Sequence, residues 1–108
     1  MPYPAAVTLT LPPTIGSGVK TADALVRTGA GFLHTLTFSC NDAAPTAGTI
    51  IIYDNTAESG TVLYSETFTT TAFRAYTVTL DIPFSTGLYI GFTTTADVNV
   101  QASYVPII

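Results

Sequence analysis

The segment IIIYDNTAESGTVLY, residues 50–64, decides the fold of this chain. It opens with a continuous run of β-branched apolar residues, stops at a polar cluster that contains glycine, and resumes with a second apolar stretch. This pattern predicts two buried strands joined by a short loop. Threonine supplies 21 of the 108 residues and lies beside Val, Ile, Tyr and Phe in most apolar segments. That composition is typical of pleated, half-buried strands, so we expect an all-β protein.

Seven or eight short strands are expected, with turn residues about every ten positions. They cover residues 23–28, 32–40, 49–53, 61–68, 73–82, 88–92 and 98–104, with a further short strand at residues 7–11. No segment keeps the apolar period of a helix over three turns. We therefore expect a single-domain antiparallel two-sheet β-sandwich, jelly-roll-like, with an Ig-like topology as the alternative.

Alternation within the strands predicts which side chains face the core. In residues 32–40 one face carries Phe32, His34, Leu36, Phe38 and Cys40, and we expect it to be the core face. In residues 61–68 the alternation predicts Val62, Tyr64 and Phe68 on one face of the strand and Leu63 on the other. Pro83 is expected to end the strand before it, because proline has no N–H for the ladder. Residues 16–18, Gly-Ser-Gly, are expected to form a flexible turn.

Residues 1–13 are expected to form an extended N-terminal arm, and residues 14–108 the β-sandwich domain. Prolines at positions 2, 4, 12 and 13 frame residues 7–11, Val-Thr-Leu-Thr-Leu, as in an edge strand. The apolar side chains of this segment must be buried on the sandwich or on a neighbouring subunit, and we favour the neighbour. The candidate partner-binding residues lie at the two termini and are Tyr3, Val7, Leu9, Leu11, Ile107 and Ile108.

Charge is sparse along this chain. Ten residues carry a formal charge and the net charge is -4, whereas about a quarter of a typical domain is charged. A surface of Thr, Ala, Tyr and Phe suggests that a partner covers part of it, and the alternative is a soluble domain hydrated by its hydroxyl groups. Three scattered basic residues argue against binding to nucleic acid or to an anionic membrane.

Other features bear on the cellular compartment. The N-terminus lacks the basic and apolar regions of a secretory signal, and no apolar run approaches the ~20 residues that span a bilayer. The lone Cys40 cannot form an intramolecular disulfide, which fits synthesis in a reducing cytoplasm.

Catalytic chemistry has few candidate residues here. His34 and Cys40 lie six positions apart on one predicted strand, so about 20 Å separates them. No zinc motif is present, and Asp54, Asn55 and Glu58 lack the spacing of a calcium loop. We expect the Asp and Asn of this turn to cap their own backbone. We therefore predict no catalytic, cofactor or metal site and no enzymatic activity. The tyrosines at positions 3, 53, 64, 76, 89 and 104 are expected mainly in packing, with sugar binding as a minor alternative.

Three segments carry a resemblance to a known group of proteins. They are residues 31–38 (GFLHTLTF), 48–61 (GTIIIYDNTAESGT) and 80–88 (LDIPFSTGL). Here the chain resembles small virion structural proteins of tailed bacteriophages, of the capsid decoration (cement) or head-fibre type. The resemblance implies a β-sandwich displayed on the phage particle, often as a homotrimer, and supplies no catalytic residues.

The expected function is therefore a decoration protein that binds the major capsid protein on the outside of the head and stabilises the shell. It would be made in the host cytoplasm and located on the virion, without nucleic acid, membrane or cofactor as partner. The alternative is a tail or fibre module that binds a host receptor or glycan, with residues 41–48 as the presenting loop.

Overall fold

The computed structural model describes residues 14–40, 42–93 and 97–107, and the regular structure in them is entirely β. The eight strands are β1 (Ile15–Gly16), β2 (Ala24–Thr28), β3 (Gly31–Cys40), β4 (Gly48–Asp54), β5 (Thr61–Phe68), β6 (Tyr76–Phe84), β7 (Gly87–Thr93) and β8 (Val98–Pro106). Within these ranges no helix is long and apolar enough to cross a membrane. The predicted all-β class is confirmed, and the predicted arm at residues 1–13 lies outside the described residues.

The strands form two antiparallel four-stranded sheets packed against each other. Sheet I has the order β1-β8-β3-β6 and sheet II has the order β2-β7-β4-β5. Every pair of neighbours is antiparallel. The two-sheet sandwich predicted from the sequence is thereby confirmed, and the choice between jelly-roll-like and Ig-like connections stays a prediction.

The core lies between the two sheets. It is formed by Leu33, Leu36, Phe38, Ile50, Ile52, Phe68, Phe84, Leu88, Ile90, Val98, Val100, Ala102 and Tyr104. The fully buried Phe38 ring of β3 contacts the rings of Phe68 and Tyr64 on β5 and of Tyr76 on β6. The β3–β6 side of sheet I therefore covers the β4–β5 side of sheet II. Strands β1 and β2 consequently lie at the opposite side of the sandwich.

The core face predicted for β3 is partly wrong, because the strand contains a β-bulge. Leu33 pairs with Tyr104 of β8 and Thr35 with the adjacent Ser103, so His34 is an extra residue in β3. The alternation changes phase there, and Leu33 and Leu36 are both buried. The prediction was right for Leu36 and Phe38 but wrong for Phe32 and His34, because a bulge adds one residue without adding a ladder partner.

Three further predictions are corrected by the pairing. In β5 the register shifts opposite Ile52 and Tyr53, so Val62 is exposed while Leu63 packs against the core. Pro83 does not end β6, which continues to Phe84. Strand β6 is an edge strand, where a missing N–H faces no partner. The expected turn at residues 16–18 is partly strand, because Gly16 pairs with Ser103.

Candidate functional site

The outer face of sheet II carries a row of apolar and aromatic side chains that crosses all four strands. The row consists of Leu25 on β2, Tyr89 on β7, Tyr53 on β4 and Val62 on β5, which are direct ladder neighbours in that order. Tyr89 points outward because the residues on either side of it, Leu88 and Ile90, are fully buried. We call these four residues the outer row.

The outer row is accessible to solvent. Leu25 is 47% exposed and Val62 is 50% exposed, and both are among the most exposed large apolar side chains in the described residues. Tyr53 and Tyr89 are half-buried between them, with ring centroids 6.5 Å apart and ring planes inclined by 59°. An aromatic pair flanked by exposed aliphatic groups is typical of a protein contact surface.

Two acidic residues adjoin the outer row and face each other. Asp23 precedes β2 and accepts a hydrogen bond from the Phe92 N–H at 2.6 Å. Glu58, from the β4–β5 loop, lies over the Gly91 backbone, where an added Cβ would come within 2.8 Å of Oε1. Burial raises the pKa of Glu58, and the charge of Asp23 and a hydrogen bond between the two carboxyl groups raise it further. Two carboxyl groups form such a bond only when one of them holds a proton.

The charges of Asp23 and Glu58 also affect Tyr89 in the outer row. The pKa of the Tyr89 hydroxyl is raised by desolvation first, and then by the charges of Asp23 and Glu58. The Tyr89 hydroxyl therefore stays protonated and available as a hydrogen-bond donor. The outer row thus combines exposed apolar surface with a negative border, which favours partners that bring apolar groups together with hydrogen-bond donors.

The supposed calcium cluster is a structural cap. The Asp54 carboxylate accepts hydrogen bonds from the N–H groups of Thr86 at 2.8 Å, Ser85 at 3.0 Å and Gly87 at 3.4 Å. Burial alone would raise the pKa of Asp54, but these bonds and one from the Ser85 hydroxyl outweigh it and lower the pKa. Asn55 closes its own loop by donating to the Ser59 carbonyl at 2.8 Å. The prediction that these residues cap their own backbone is thus right for Asn55, whereas the oxygens of Asp54 are occupied by the β6–β7 turn.

His34 has a carboxylate partner on the outer face of sheet I. Its Nδ1 lies 2.6 Å from Oδ1 of Asp81, with side chains 44% and 51% exposed. Both residues occupy the bulged part of the β3–β6 ladder, and Asp81 has a φ of 51° in the left-handed region. The contact orients the imidazole and leaves Nε2 free for another group. A β-bulge commonly re-aims a side chain in this way.

Cys40 has no contact with His34. Its thiol donates a hydrogen bond to the Asp42 carbonyl at 2.9 Å, while His34 is held by Asp81. In the part of the chain that the structure describes, no group of three or more His, Cys, Asp or Glu residues could hold a metal ion.

Of the predicted partner-binding residues, only Ile107 lies among the described residues. Its side chain is 53% exposed, while its N–H donates to the Ala30 carbonyl at 3.1 Å and its own carbonyl accepts from the Arg27 guanidinium at 3.2 Å. Because β1 is antiparallel to β8 and Ile15 pairs with Tyr104, the chain enters β1 at the end of the sandwich where β8 finishes. Ile107 and the point at which residues 1–13 join the sandwich therefore lie at the same end. Tyr3, Val7, Leu9, Leu11 and Ile108 lie outside the described residues.

Sequence reasoning did not find the outer row. Tyr53 and Tyr89 were assigned mainly to packing, and their partners Leu25 and Val62 belong to different strands. The available signal was the outward position of Tyr89 between two core residues, which predicts its face but not its neighbours.

Comparison with known proteins found no family model, no curated protein and no solved structure that matches this chain.

Proposed function

We propose that this chain is a structural protein of a bacteriophage particle, and that it binds the outside of the head as a capsid decoration protein. Its partners are the major capsid protein and further copies of itself, in a homotrimer. The proposal rests first on the resemblance of residues 31–38, 48–61 and 80–88 to small phage virion proteins. The proposed location of the protein is the capsid surface.

The observation that carries the proposal is the outer row. A chain with ten charged residues presents an apolar and aromatic row across a whole sheet, bordered by Asp23 and Glu58. Such a surface is costly to leave in water and is suited to a lasting protein contact. Burying an exposed Leu or Val side chain would contribute about 1.5–3 kcal/mol each, before the cost of association is subtracted.

Particle localisation tests the proposal directly. Purified particles of the phage that encodes the chain should contain it in a fixed ratio to the major capsid protein, and a density map should place it on the head. Absence from the particles would refute the structural role, and density on the tail would refute the decoration role.

The outer row can be tested by one substitution and a matched control. Leu25→Lys places a charge at the end of the outer row and should abolish binding to decoration-free heads. Val19→Lys introduces the same charge at a side chain that is 61% exposed but lies between β1 and β2, outside the outer row. Normal head binding by both variants would exclude the outer row as the attachment surface.

A glycan-binding tail or fibre module is the second candidate, and a specific observation favours it. The Tyr89 ring lies near the carboxyl groups of Asp23 and Glu58 and pairs with the Tyr53 ring, which combines a stacking surface with acceptors for sugar hydroxyls. A glycan array should then show binding that Tyr89→Ala abolishes and Tyr89→Phe retains. No binding on the array would leave no support for this candidate.

A further inference from the structure

The outward edge of β5 is the least protected strand edge of the sandwich. Strands β1, β2, β5 and β6 are the edge strands of the two sheets. Strand β1 has two residues, β2 is bulged between Leu25 and Arg27, and β6 carries Pro83 and the left-handed Asp81. Short length, bulges and proline are the devices that block the addition of another strand.

Strand β5 lacks these devices over five residues. From Tyr64 to Phe68 it pairs with β4 in regular register, without proline, lysine or arginine. Its one charge, on Glu66, does not guard the edge, because the carboxylate accepts hydrogen bonds from the hydroxyls of Tyr64 at 2.6 Å and Tyr76 at 2.9 Å. Among the described residues β4 is the only ladder partner of β5. The other side of residues 64–68 therefore presents free backbone groups.

The chain contains a segment of matching length and pattern. Residues 7–11, Val-Thr-Leu-Thr-Leu, have the alternating pattern of a five-residue strand, with prolines at positions 4 and 12 on either side. The prolines at positions 4 and 12 limit the added strand to the residues between them, and the alternation covers residues 7–11. A strand docked beside β5 would form backbone hydrogen bonds with residues 64–68 and place alternate side chains on one face of the enlarged sheet II.

This segment cannot reach β5 of its own subunit. Only residues 12–14 separate it from β1, and a chain of that length spans at most about 14 Å. Strand β1 lies at the opposite side of the sandwich from β5. A position beside β5 is about four strand spacings and one sheet spacing from β1, or about 22 Å. The donor must therefore be another copy.

We propose that residues 7–11 of one copy add as a fifth strand to sheet II of a second copy, along residues 64–68 of β5. This inference rests on the self-association part of the proposed function and is independent of attachment to a shell. The donor segment is joined to β1, which lies at the opposite side of the subunit from the acceptor edge β5, so the contact is head-to-tail. A head-to-tail contact that closes after three copies gives the homotrimer.

Three variants of the full chain test the proposal by light scattering. Ser65→Lys places a charge on an exposed position in the middle of the acceptor edge. Leu9→Lys places the same charge in the middle of the donor segment. Thr79→Lys is the matched control, since it adds the same charge at an exposed position of edge strand β6. The wild-type chain and Thr79→Lys should have three times the mass of the 11.3 kDa chain, while Ser65→Lys and Leu9→Lys should be monomers. Circular dichroism should confirm that all four are folded.

Hydrogen exchange reports on the acceptor edge itself. Amides in residues 64–68 should exchange at least tenfold faster in Ser65→Lys and Leu9→Lys than in the wild-type chain, and the control should match the wild type. A monomeric wild-type chain would overturn both the inference and the proposed self-association. Trimeric Ser65→Lys would overturn the inference alone. If that trimeric variant also failed to bind heads, the occupant of the edge would be the shell and not a second copy.

Discussion

Replacing Asp54 by alanine is expected to be the most damaging single change outside the core. The Asp54 carboxylate is the acceptor for the N–H groups of residues 85–87, with distances from 2.8 to 3.4 Å, and it joins the end of β4 to the β6–β7 turn. Asp54→Ala leaves these donors without their acceptor. Hydrogen bonds to a charged group contribute about 1.5–3 kcal/mol each when no water replaces them.

The stability lost in Asp54→Ala depends on how well water replaces the missing acceptor. Ser85 and Thr86 are exposed, so water can reach their N–H groups, whereas Gly87 is buried. We therefore expect a total loss of about 2–3 kcal/mol in the free energy of unfolding. With an unfolding entropy of about 2.1 cal/mol/K per residue, the melting temperature should fall by about 9–13 °C.

Acid should reduce the difference in stability between Asp54→Ala and the wild type. The pKa of Asp54 is lowered from 3.8 in the folded protein, so its stabilising contribution is complete above 3.8. The contribution is lost as the pH falls through the lower folded value. Thermal unfolding followed by circular dichroism, at neutral pH and in acid, measures both effects.

Two variants serve as controls for Asp54→Ala. Asp54→Asn keeps one acceptor oxygen without the charge and should show an intermediate loss. Asp42→Ala removes an exposed carboxylate that accepts one bond from the Ala44 N–H at 3.0 Å, and should cost less than about 0.5 kcal/mol. A loss below about 0.5 kcal/mol for Asp54→Ala, or an equal loss at all pH values, would refute the capping role.

Three further predictions concern other parts of the molecule. Glu58→Gln should raise the melting temperature at neutral pH and leave it unchanged in strong acid. Burial first, and then Asp23, raise the pKa of Glu58 above 4.5 in the folded protein, so the wild type loses stability as the pH rises through the raised folded pKa. Equal melting temperatures at neutral pH would contradict this. Gly31→Ala should lower the free energy of unfolding by about 1–3 kcal/mol, since the added Cβ would overlap the Phe84 ring and lie 2.9 Å from the Val105 carbonyl oxygen. Chemical denaturation measures this change, and an unchanged midpoint would show that the strands move apart freely. Deleting residues 1–13 should leave the circular dichroism spectrum unchanged and abolish the trimer or head binding, and an unfolded product would make this segment part of its own sandwich.

The sequence predicted the strands well because their signal is local. Residues 61–68 were predicted as a strand and form β5 with the same limits. The alternation from Leu36 to Phe38 also predicted the core face correctly. Both results depend on period-2 patterning and turn residues, which a single sequence displays directly.

Errors arose where pairing decides the outcome. The extra residue His34 changes the phase of β3, and apolar residues at both 32 and 33 are compatible with either face until β8 selects one. Pro83 was predicted to end its strand, but it lies within β6, which is an edge strand only because of the order of sheet I. Strand order and register are set by long-range contacts, so a local pattern does not determine them.

The candidate site was least predictable for the same reason. The outer row joins side chains from four strands, and Asp54 caps a turn 31 residues further along the chain. The predicted cap was correct in kind, since carboxylates after strands commonly accept backbone N–H bonds, but its partners came from the turn that connects β6 of sheet I to β7 of sheet II.

The two proposed contacts use different parts of sheet II and are therefore separable. The outer row runs from Leu25 on the edge strand β2 to Val62 on the edge strand β5. A strand added along residues 64–68 would approach Val62 and leave Leu25, at the far side of the sheet, uncovered. Self-association would then remove one end of the row from water while the other end remained available to the shell. On this geometry Ser65→Lys affects the assembly and Leu25→Lys affects only attachment, because Ser65 lies on the acceptor edge and Leu25 at the far side of the sheet.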